Sequence, residues 1–582
     1  MRTELRFTSL NKSNLKNKSE YLYPWLDINK KSKILKDNIF YHWDNKKKLK
    51  KDSKKLTYYY EKLIKNLTNK LNKYHKINLP LRSWRIILGP WLWWFLESTF
   101  ERYQALDTYL KKNVNKKYYS YFDNINKNLF PKSVENMSNY YFSETWNNQI
   151  FLKIVDYFFS EKIKIISKKN QNPKIQKFIN RQDKIYKNIK FPKKNILNKF
   201  LKNQKYLISR GTFNFIEILK MNYEFGFIQN IMIPKKFDLK KKIDHNLRYK
   251  LFLNNKKKIR DNFEKFISKI IGEEIPTTFL ENFKYLYNLV DQFNLPKKPS
   301  IIFDTTHLYF FTLMMIYTAK KIHENKTRLY YFQHGTELGM SQYNWNEDHE
   351  ILISDKYFTW GWKHLNNKVI PYKINYNLNS YKKINFQNNK KILFIMRTSQ
   401  IFFRSGSSLI GYKDWKNYLT DTLNFPKFLK KENLKNLIVR FSNNNKNGTW
   451  GEHLEWKKKW KNIDYDFRSV PIIDQIKKSK IVICSYNSTL FLECMASNLP
   501  VLMFMPKRSY ELRQSAKKNF KTLYKNKIVF DKIEDLAKKL NSVNNNIEDW
   551  WFSREIQLIR KNFCSNYAKT NLDNRKLFKI IN

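Results

Sequence analysis

Read by the spacing of its apolar residues, the chain changes character twice. Residues 1–80 are rich in Lys and Asn, with helical patches such as YYYEKLIKNLTNKLNKY, and predict a basic helical arm exposed to solvent. From Ser83 to about Val290 the pattern is helical and aromatic. It is interrupted by NKNLFPKSVENMSN and by EKIKIISKKNQNPKIQKFINRQDKIYKNIKFPKKN, whose Lys-rich composition suits a long surface insertion. Then PSIIFDTT, TRLYYFQHG and KYFTWGW each predict a strand ending in a polar loop, with one helix over HLYFFTLMMIYTAKKIHEN between the first two. After the polar stretch NLNSYKKINFQNNK a second series begins. Strands are predicted at KKILFIM, NLIVRF, KIVICSY, LPVLMFM and NKIVF, and helices at KDWKNYLTDTLNFPKFLKK, VPIIDQIKKS, STLFLECMASN and YELRQSAKKNF. Such alternation predicts parallel, doubly wound sheets. The expected architecture is α/β: an arm (1–80), an N-terminal unit with helical insertions (81–380) and a C-terminal unit with terminal helices (381–582). Sheets of this kind take ligands beyond the carboxyl ends of their strands, so the loops there are where chemistry is sought.

The run SWRIILGPWLWWFLESTFERY stands apart. Its uncharged part, Ile86 to Leu96, is about half the ~20 residues a spanning helix needs. Because Pro suits the first turn of a helix and not its interior, Gly89-Pro90 predicts an extended segment, a turn, and a helix starting near Pro90. Its Trp residues read as core, with an aromatic binding or membrane-interface surface as the alternative. The N-terminus shows no apolar secretory core, so a cytoplasmic chain is expected. Cys484, Cys494 and Cys564 lack the spacing of a disulfide framework or a zinc site. The net charge of +62, from 112 Lys+Arg against 50 Asp+Glu, would ordinarily suggest nucleic acid or an anionic membrane. Lys, Asn, Ile, Phe and Tyr crowd the chain while Gly numbers 11, the pattern of an AT-biased genome. After that discount the charge favours phosphate-bearing ligands and anionic lipid head groups, and no specific nucleic-acid partner is expected.

Three strand-end loops hold the candidates. In IVICSYNSTLFLECMASNLPVLMF, Asn487, Ser488 and Thr489 open a helix with capping oxygens and free backbone N–H groups, a seat for phosphate or an ordinary cap, and Glu493 follows on the same helix. In MRTSQIFFRSGSS, Arg397 and Arg404 stand among hydroxyls, which suits an anion. Arg440 ends the equivalent strand NLIVRF, and Arg508 and Arg513 follow the strand after the Asn487 helix. In FQHGTELGMSQYNWNEDHEILISDKYFTWGW, His334 leaves a strand into Gly335, where the backbone is expected to turn, with Glu337 close behind. An imidazole there serves as a general base near neutral pH, or simply binds a backbone carbonyl. Asp355 and Glu350 are further acidic candidates, and His307 follows a neighbouring strand. No His/Asp/Glu group has metal-ligand spacing, and the zinc-protease helix, the Walker loop and G-x-G-x-x-G are absent, so no metal is expected.

Together SWRIILGPWLWWFLESTFERY, FQHGTELG, ISDKYFTWGW, SYNSTLFLECMASNLPVLMF and DWWFSREIQLIRKNFCSNYA resemble the transferases encoded in bacterial O-antigen and surface-polysaccharide clusters, over roughly Leu79 to Lys569. The resemblance implies a GT-B-like fold of two Rossmann-like units facing a cleft. It also implies that His334 and Gly335 on one side face Ser488, Thr489 and Glu493 on the other across a nucleotide. Arg82, Arg85, Glu97 and Arg102 become site candidates as neighbours of the Trp run. The glycine-rich donor loop of the related epimerases is replaced here by YNST. The implied activity is metal-independent transfer of a sugar from a nucleotide-sugar co-substrate, with no cofactor, to a glycan or lipid-linked acceptor at the inner face of the cytoplasmic membrane. Alternatives are a CMP-linked acidic-sugar (Kdo-type) transferase, a glycerol- or ribitol-phosphate transferase, and a non-catalytic polyanion-binding protein.

Overall fold

A computed structural model describes residues 2–8, 19–26, 41–123, 130–168, 203–209, 237–252, 260–335, 337–374, 389–402, 411–441 and 449–570, with isolated positions besides. Three sheets, parallel in every pairing, organise the chain. The first contains β1 (Thr3–Arg6), β2 (Ser19–Tyr21), β3 (Tyr118–Asp123) and β4 (Ile163–Lys168) in the order β2-β1-β3-β4. The described part of residues 1–80 is therefore not an exposed arm. β1 pairs with β3, and α1 (Lys46–His75) buries Leu49, Leu56, Leu63, Ile64, Leu67 and Leu71. With buried Asp52, Tyr59 and Tyr60 these positions recur every three or four residues, a stripe that the surrounding Lys and Asn obscure in the composition. Most of the expected Lys-rich insertion falls outside the described residues; its start forms β4.

The Trp-rich run is one uninterrupted helix, α2 (Leu81–Lys112), rather than a turn followed by a helix. Pro90 inside it removes one backbone donor and disfavours helix at the preceding residue by crowding that residue's Cβ. Gly89 has no Cβ, which relieves the second penalty. Burial of every residue from Ser83 to Arg102 outweighs the first, roughly 3 kcal/mol. Trp84, Trp91, Trp93 and Trp94 are all buried.

The second sheet holds β5 (Tyr206–Ile208), β6 (Gln229–Asn230), β7 (Ile301–Asp304), β8 (Arg328–Phe332), β9 (Lys356–Thr359) and β10 (Val369–Pro371), ordered β10-β9-β8-β7-β5-β6. Ranked along the chain this is 2-1-3-4-5-6, the flavodoxin-like order extended by one strand. The single helix expected over residues 307–325 is broken at Phe311. There the Glu135 carboxylate accepts the Thr312 N–H (2.8 Å) and hydroxyl (2.7 Å), capping α3 (Thr312–Asn325). A fourth helix, α4 (Trp345–Ile353), links β8 to β9.

The third sheet holds β11 (Lys391–Met396), β12 (Leu437–Phe441), β13 (Asp464–Asp466), β14 (Ser479–Cys484), β15 (Val501–Phe504) and β16 (Val529–Phe530), in the order β13-β12-β11-β14-β15-β16. That is 3-2-1-4-5-6, the order of dinucleotide-binding sheets. Its helices include α5 (Tyr412–Asn424), α6 (Ile472–Lys477), α7 (Thr489–Ala496) and α8 (Gln514–Lys525). The final helix, α9 (Arg554–Tyr567), packs on α7 and returns the chain to the second sheet: Lys569 N–H donates to Trp360 O (3.0 Å), and Tyr330 donates to Ile580 O (3.0 Å). The strands of the second sheet all precede residue 381 and those of the third all follow it, while the terminal segment returns to the second sheet. The architecture is α/β and GT-B-like, two doubly wound units in contact at their strand-end loops. Among the described residues no helix is long and apolar enough to cross a membrane.

Candidate functional site

His334 sits two residues beyond β8, half-buried, with Nδ1 3.1 Å from the Glu350 carboxylate of α4. Glu350 is fully buried and accepts one hydrogen bond on each oxygen, from the Tyr309 and Tyr357 hydroxyls, both at 2.9 Å. Tyr309 also lays its ring 5.8 Å from the imidazole. The carboxylate is thus immobilised before it reaches His334. The tautomer protonated on Nδ1, the ring nitrogen nearest the carboxylate, leaves on Nε2 the lone pair a base needs. Burial alone would lower the pKa of His334; Glu350, and more weakly Asp304, outweigh burial and hold it above the usual imidazole value.

The loop after His334 is fixed from within. Buried Gln333 donates to Gly335 O (2.8 Å) and accepts from Trp360 N–H and Trp362 Nε1, both at 2.8 Å. The sharp turn falls at Gly339 and not at Gly335. Gly339 has φ +80° and lies against the Trp362 ring, where a Cβ would come within 2.4 Å. At Gly335 an added Cβ would meet, among the described residues, only Leu338, at 4.0 Å.

Across from this loop stand the strand ends of the C-terminal unit. Arg397 follows β11 with its backbone N–H held by the Tyr418 hydroxyl (3.0 Å) and its guanidinium over the Tyr486 ring (5.9 Å). Burial would lower its pKa, but Tyr510, Glu337, Tyr486 and Tyr418 raise it, so the cation is secure. Burial raises the pKa of Glu337, and Arg397 counters it. Asn487 reaches the Met340 sulfur at 3.3 Å. Ser488 caps α7 by accepting Phe491 N–H (3.3 Å), and Thr489 is its first residue. The units are tied by Gln342 N–H to Glu511 O (2.8 Å), Arg513 N–H to Met340 O (2.9 Å) and the Arg513–Glu347 ion pair (2.8 Å). His334, Gly335, Glu337, Arg397, Asn487, Ser488, Thr489 and Arg513 are thereby brought to one junction.

Other sequence candidates are occupied elsewhere. Asp355 lies at the amino end of β9, opposite the cleft, where it takes both arms of Arg82 (2.6 and 3.0 Å) and the Leu329 N–H (2.7 Å). It is a structural acid. Arg85 forks onto Glu61 in the N-terminal helices, and Arg102, with no exposure, binds Glu101 and Asn147 in the core. Both are engaged by these partners on the buried Trp helix, and Arg102 also lies over the Phe402 ring (5.5 Å). Arg440 is held by Asp466 and by Val470 O (2.7 Å), bracing the loop after β13. Arg508 pairs with Asp421 (2.5 Å) on the surface, and Glu493 accepts the Tyr381 hydroxyl (2.5 Å). Arg404 lies outside the described residues. His307 is 3.8 Å from Asp304, which burial pushes up to about 6 against the hydrogen bonds of Ser209 and Leu308 N–H. Sequence reading missed Tyr309, Tyr357 and Gln333, which fix the loop, and Arg468, exposed beyond β13 and acting on Tyr486. The available signal was on α4: Glu347 and Glu350, three apart, are both buried on a helix that begins after His334. Among the described residues no group of three or more His, Cys, Asp or Glu side chains is placed to hold a metal ion.

A sequence profile of the LIC12162 family transferases matches residues 4–579. No curated protein sequence matches the chain. Among solved structures the chain is similar to MnaA of S. aureus in a structure with UDP (12% identity, 65% of this chain and 95% of that one, TM-score 0.36). It is also similar to UDP-GlcNAc 2-epimerase from Neisseria meningitidis bound to UDP-GlcNAc (11%, 65% and 98%, TM-score 0.34). A third is the wall teichoic acid polymerase TagF in a structure with CDPG (13%, 53% and 74%, TM-score 0.29).

Proposed function

We propose, from the premise that the chain belongs to the LIC12162 family of transferases, that it moves a sugar from a nucleotide-sugar donor to a surface-polysaccharide acceptor of the O-antigen or capsule type. The observation that carries this reading is the His334–Glu350 pair, a braced imidazole at the strand-end face of one unit, whose loop meets an arginine- and hydroxyl-bearing face on the other. In the proposed step the acceptor hydroxyl gives its proton to His334 Nε2 as its oxygen bonds to the sugar carbon. The bond from that carbon to the donor phosphate breaks, and the leaving nucleotide carries away the electron pair. Arg397 and the amino end of α7 offset the charge that develops there. The net charge of +62 suits a chain that rests on the anionic inner leaflet, where lipid-linked acceptors lie.

The test is His334→Ala assayed with a donor panel of CMP, CDP, UDP and GDP sugars. Loss of a positioned base costs on the order of 10²- to 10⁴-fold in rate. The variant is expected to stay folded, bind the donor nucleotide as before in a thermal-shift assay, and lose at least about a hundredfold of turnover. Normal turnover would remove His334 from the chemistry, and the absence of any nucleotide-dependent shift in the parent chain would remove the donor class.

A further inference from the structure

Five residues other than glycine take a positive φ in the described part of the chain: Lys76, Lys326, Arg468, Asn498 and Lys527. Four of them stand within two residues of a helix end, after α1, α3, α7 and α8, where a left-handed residue is an ordinary way to stop a helix. Arg468 is the exception. It follows a strand, two residues beyond β13, with φ +62°. A residue with a Cβ is held there at a cost, and such strain persists only where the surroundings enforce it.

Here they do. Asp466, 3% exposed, closes the turn with one carboxylate oxygen accepting the Ser469 N–H (3.0 Å) and hydroxyl (3.1 Å). Its other oxygen accepts from Arg440 and from the Gln475 amide (3.1 Å), and Arg440 also donates to Val470 O (2.7 Å). Phe467 stacks on Phe441 of β12, with ring centroids 5.4 Å apart and planes 6° from parallel. The neighbours of Arg468 on both sides are thus pinned, while Arg468 itself is exposed. The brace presents a cation at the carboxyl edge of the sheet, the edge that carries Arg397 and Ser488.

Two cations converge at that edge. Arg397 lies over the Tyr486 ring (5.9 Å) from the loop after β11. Burial pushes the Tyr486 hydroxyl up to about 12, and Arg397 and Arg468 both pull it back, so two guanidinium groups act on one phenol. Their loops leave β11 and β13, two strands apart in the sheet and so roughly 10 Å from each other at the ladder spacing. Guanidinium groups placed so suit adjacent anions, each fork gripping one. Glu337 counters Arg397 from the other unit, and Asp466 is engaged by Arg440, Ser469 and Gln475.

We infer, on the donor reading above, that Arg468 binds the second phosphate of a nucleoside diphosphate donor whose first phosphate lies at Arg397 and the amino end of α7. A donor linked through a nucleoside monophosphate would leave Arg468 without a ligand.

The experiment compares nucleoside mono- and diphosphates on the same base, CMP with CDP, UMP with UDP and GMP with GDP, by calorimetric titration of the full chain and of Arg468→Gly. Glycine keeps the left-handed backbone and removes the guanidinium. Relief of strain is expected to let this variant unfold at a temperature no lower than the parent chain's, so a loss of binding is not a collapsed loop. On the base that binds, the parent is expected to hold the diphosphate at least about tenfold more tightly than the monophosphate, in keeping with a charged hydrogen-bond partner. Arg468→Gly is expected to lose about tenfold for the diphosphate and to bind the monophosphate as before. Arg468→Gln, uncharged and of similar reach, gives the same comparison if the loop needs a side chain to fold. Unchanged diphosphate affinity in the folded variant, or an equal loss for both nucleotides, overturns the assignment and leaves the donor site standing. No binding of any nucleotide to the parent chain overturns the donor reading and the role of Arg468 with it.

Discussion

The two six-stranded sheets share an architecture and differ in the side chains at their strand ends. Their strands are parallel, the central ones almost wholly buried, and both place loops at the carboxyl edge where the units meet. In the C-terminal sheet the strand order reverses between β11 and β14, and the loops that leave those two strands carry Arg397 and Asn487–Ser488. The crevice of that switch point is where such sheets take ligands. In the N-terminal sheet the corresponding reversal lies between β5 and β7, and the two strand ends close on each other, with the Ser209 hydroxyl donating to Asp304. The imidazole stands one strand farther on, after β8. In the proposed step one unit supplies groups that keep their charge and the other a group that exchanges a proton. A shared scaffold fixes where loops emerge, and the side chains at the strand ends differ between the two halves.

If the N-terminal edge owes its chemistry to a braced imidazole, the brace should matter nearly as much as the ring. Glu350→Gln preserves shape and removes the charge that orients Nδ1–H. Its turnover is expected to fall on the order of 10²-fold, less than the loss in His334→Ala at its fullest, because the ring remains. The pH profile separates positioning from simple damage. Glu350 holds the His334 pKa up against burial, so a charge-free partner lets it fall, the neutral base persists to lower pH, and the acidic limb of the rate profile moves down. The same linkage gives a stability effect in the parent chain: the raised pKa stabilises the fold below about 6.5, the unfolded value, and that contribution is lost as pH rises through the folded value. A Glu350→Gln profile that keeps its acidic limb in place would show that the carboxylate does not act on the imidazole.

The C-terminal edge should respond to geometry more than to charge. Arg397→Lys retains a cation and loses the planar fork that grips phosphate. Donor affinity is expected to drop about tenfold, near 1.4 kcal/mol, with little change in the rate at saturating donor. Equal affinity in the Lys and parent chains, measured by calorimetry, would leave Arg397 as a point charge opposite Glu337.

How much of this was legible depended on whether a signal was local. Eight of the twelve strands of these two sheets could be read because runs such as IIFD, LYYF, ILFIM and IVIC are short and apolar at regular spacing; β5, β6, β10 and β13, two or three residues each, could not. The junction was half legible, since a residue just after a strand stands at the ligand edge whatever the partner unit does. His334, Arg397 and Ser488 were found that way. What failed was nonlocal. Asp355 and Glu350 are five residues apart and look alike, yet one precedes β9 at its amino end beside Arg82 and the other is folded back beneath His334. The turn expected at Gly335 sits at Gly339, because the indole of Trp362, distant in sequence, occupies the place of a Cβ. Pro90 misdirected the reading of α2 since its penalty is local while the burial that outweighs it is tertiary.

Asp355 provides the contrast that sharpens the N-terminal half. Asp355→Asn weakens a bidentate pair and leaves Arg82 partly unsatisfied, a cost of about 1 kcal/mol in folding free energy. It stands at the far end of the sheet, so turnover and its pH profile are expected to match the parent chain. Denaturant unfolding and a single rate measurement distinguish this from Glu350→Gln, where the rate falls. A rate loss in Asp355→Asn comparable to that of Glu350→Gln would dissolve the distinction between the two ends of β9.

The smallest effect tests whether the C-terminal edge has a seat for phosphate or only a capped helix. Ser488 Oγ accepts the Phe491 N–H, which accounts for one lone pair. A hydroxyl also has a proton to donate, and the Ser488 proton can reach a phosphate oxygen without breaking the cap. Ser488→Ala removes both roles, Ser488→Thr neither. The cap alone is worth about 1 kcal/mol or less of stability, so both outcomes include a lower melting temperature for the Ala variant. Donor affinity decides between them. A further loss of roughly 1 kcal/mol in nucleotide binding, about fivefold, restored by Thr, assigns the hydroxyl to the phosphate. A melting change with unaltered nucleotide affinity leaves α7 an ordinary capped helix and rests the anion site on Arg397.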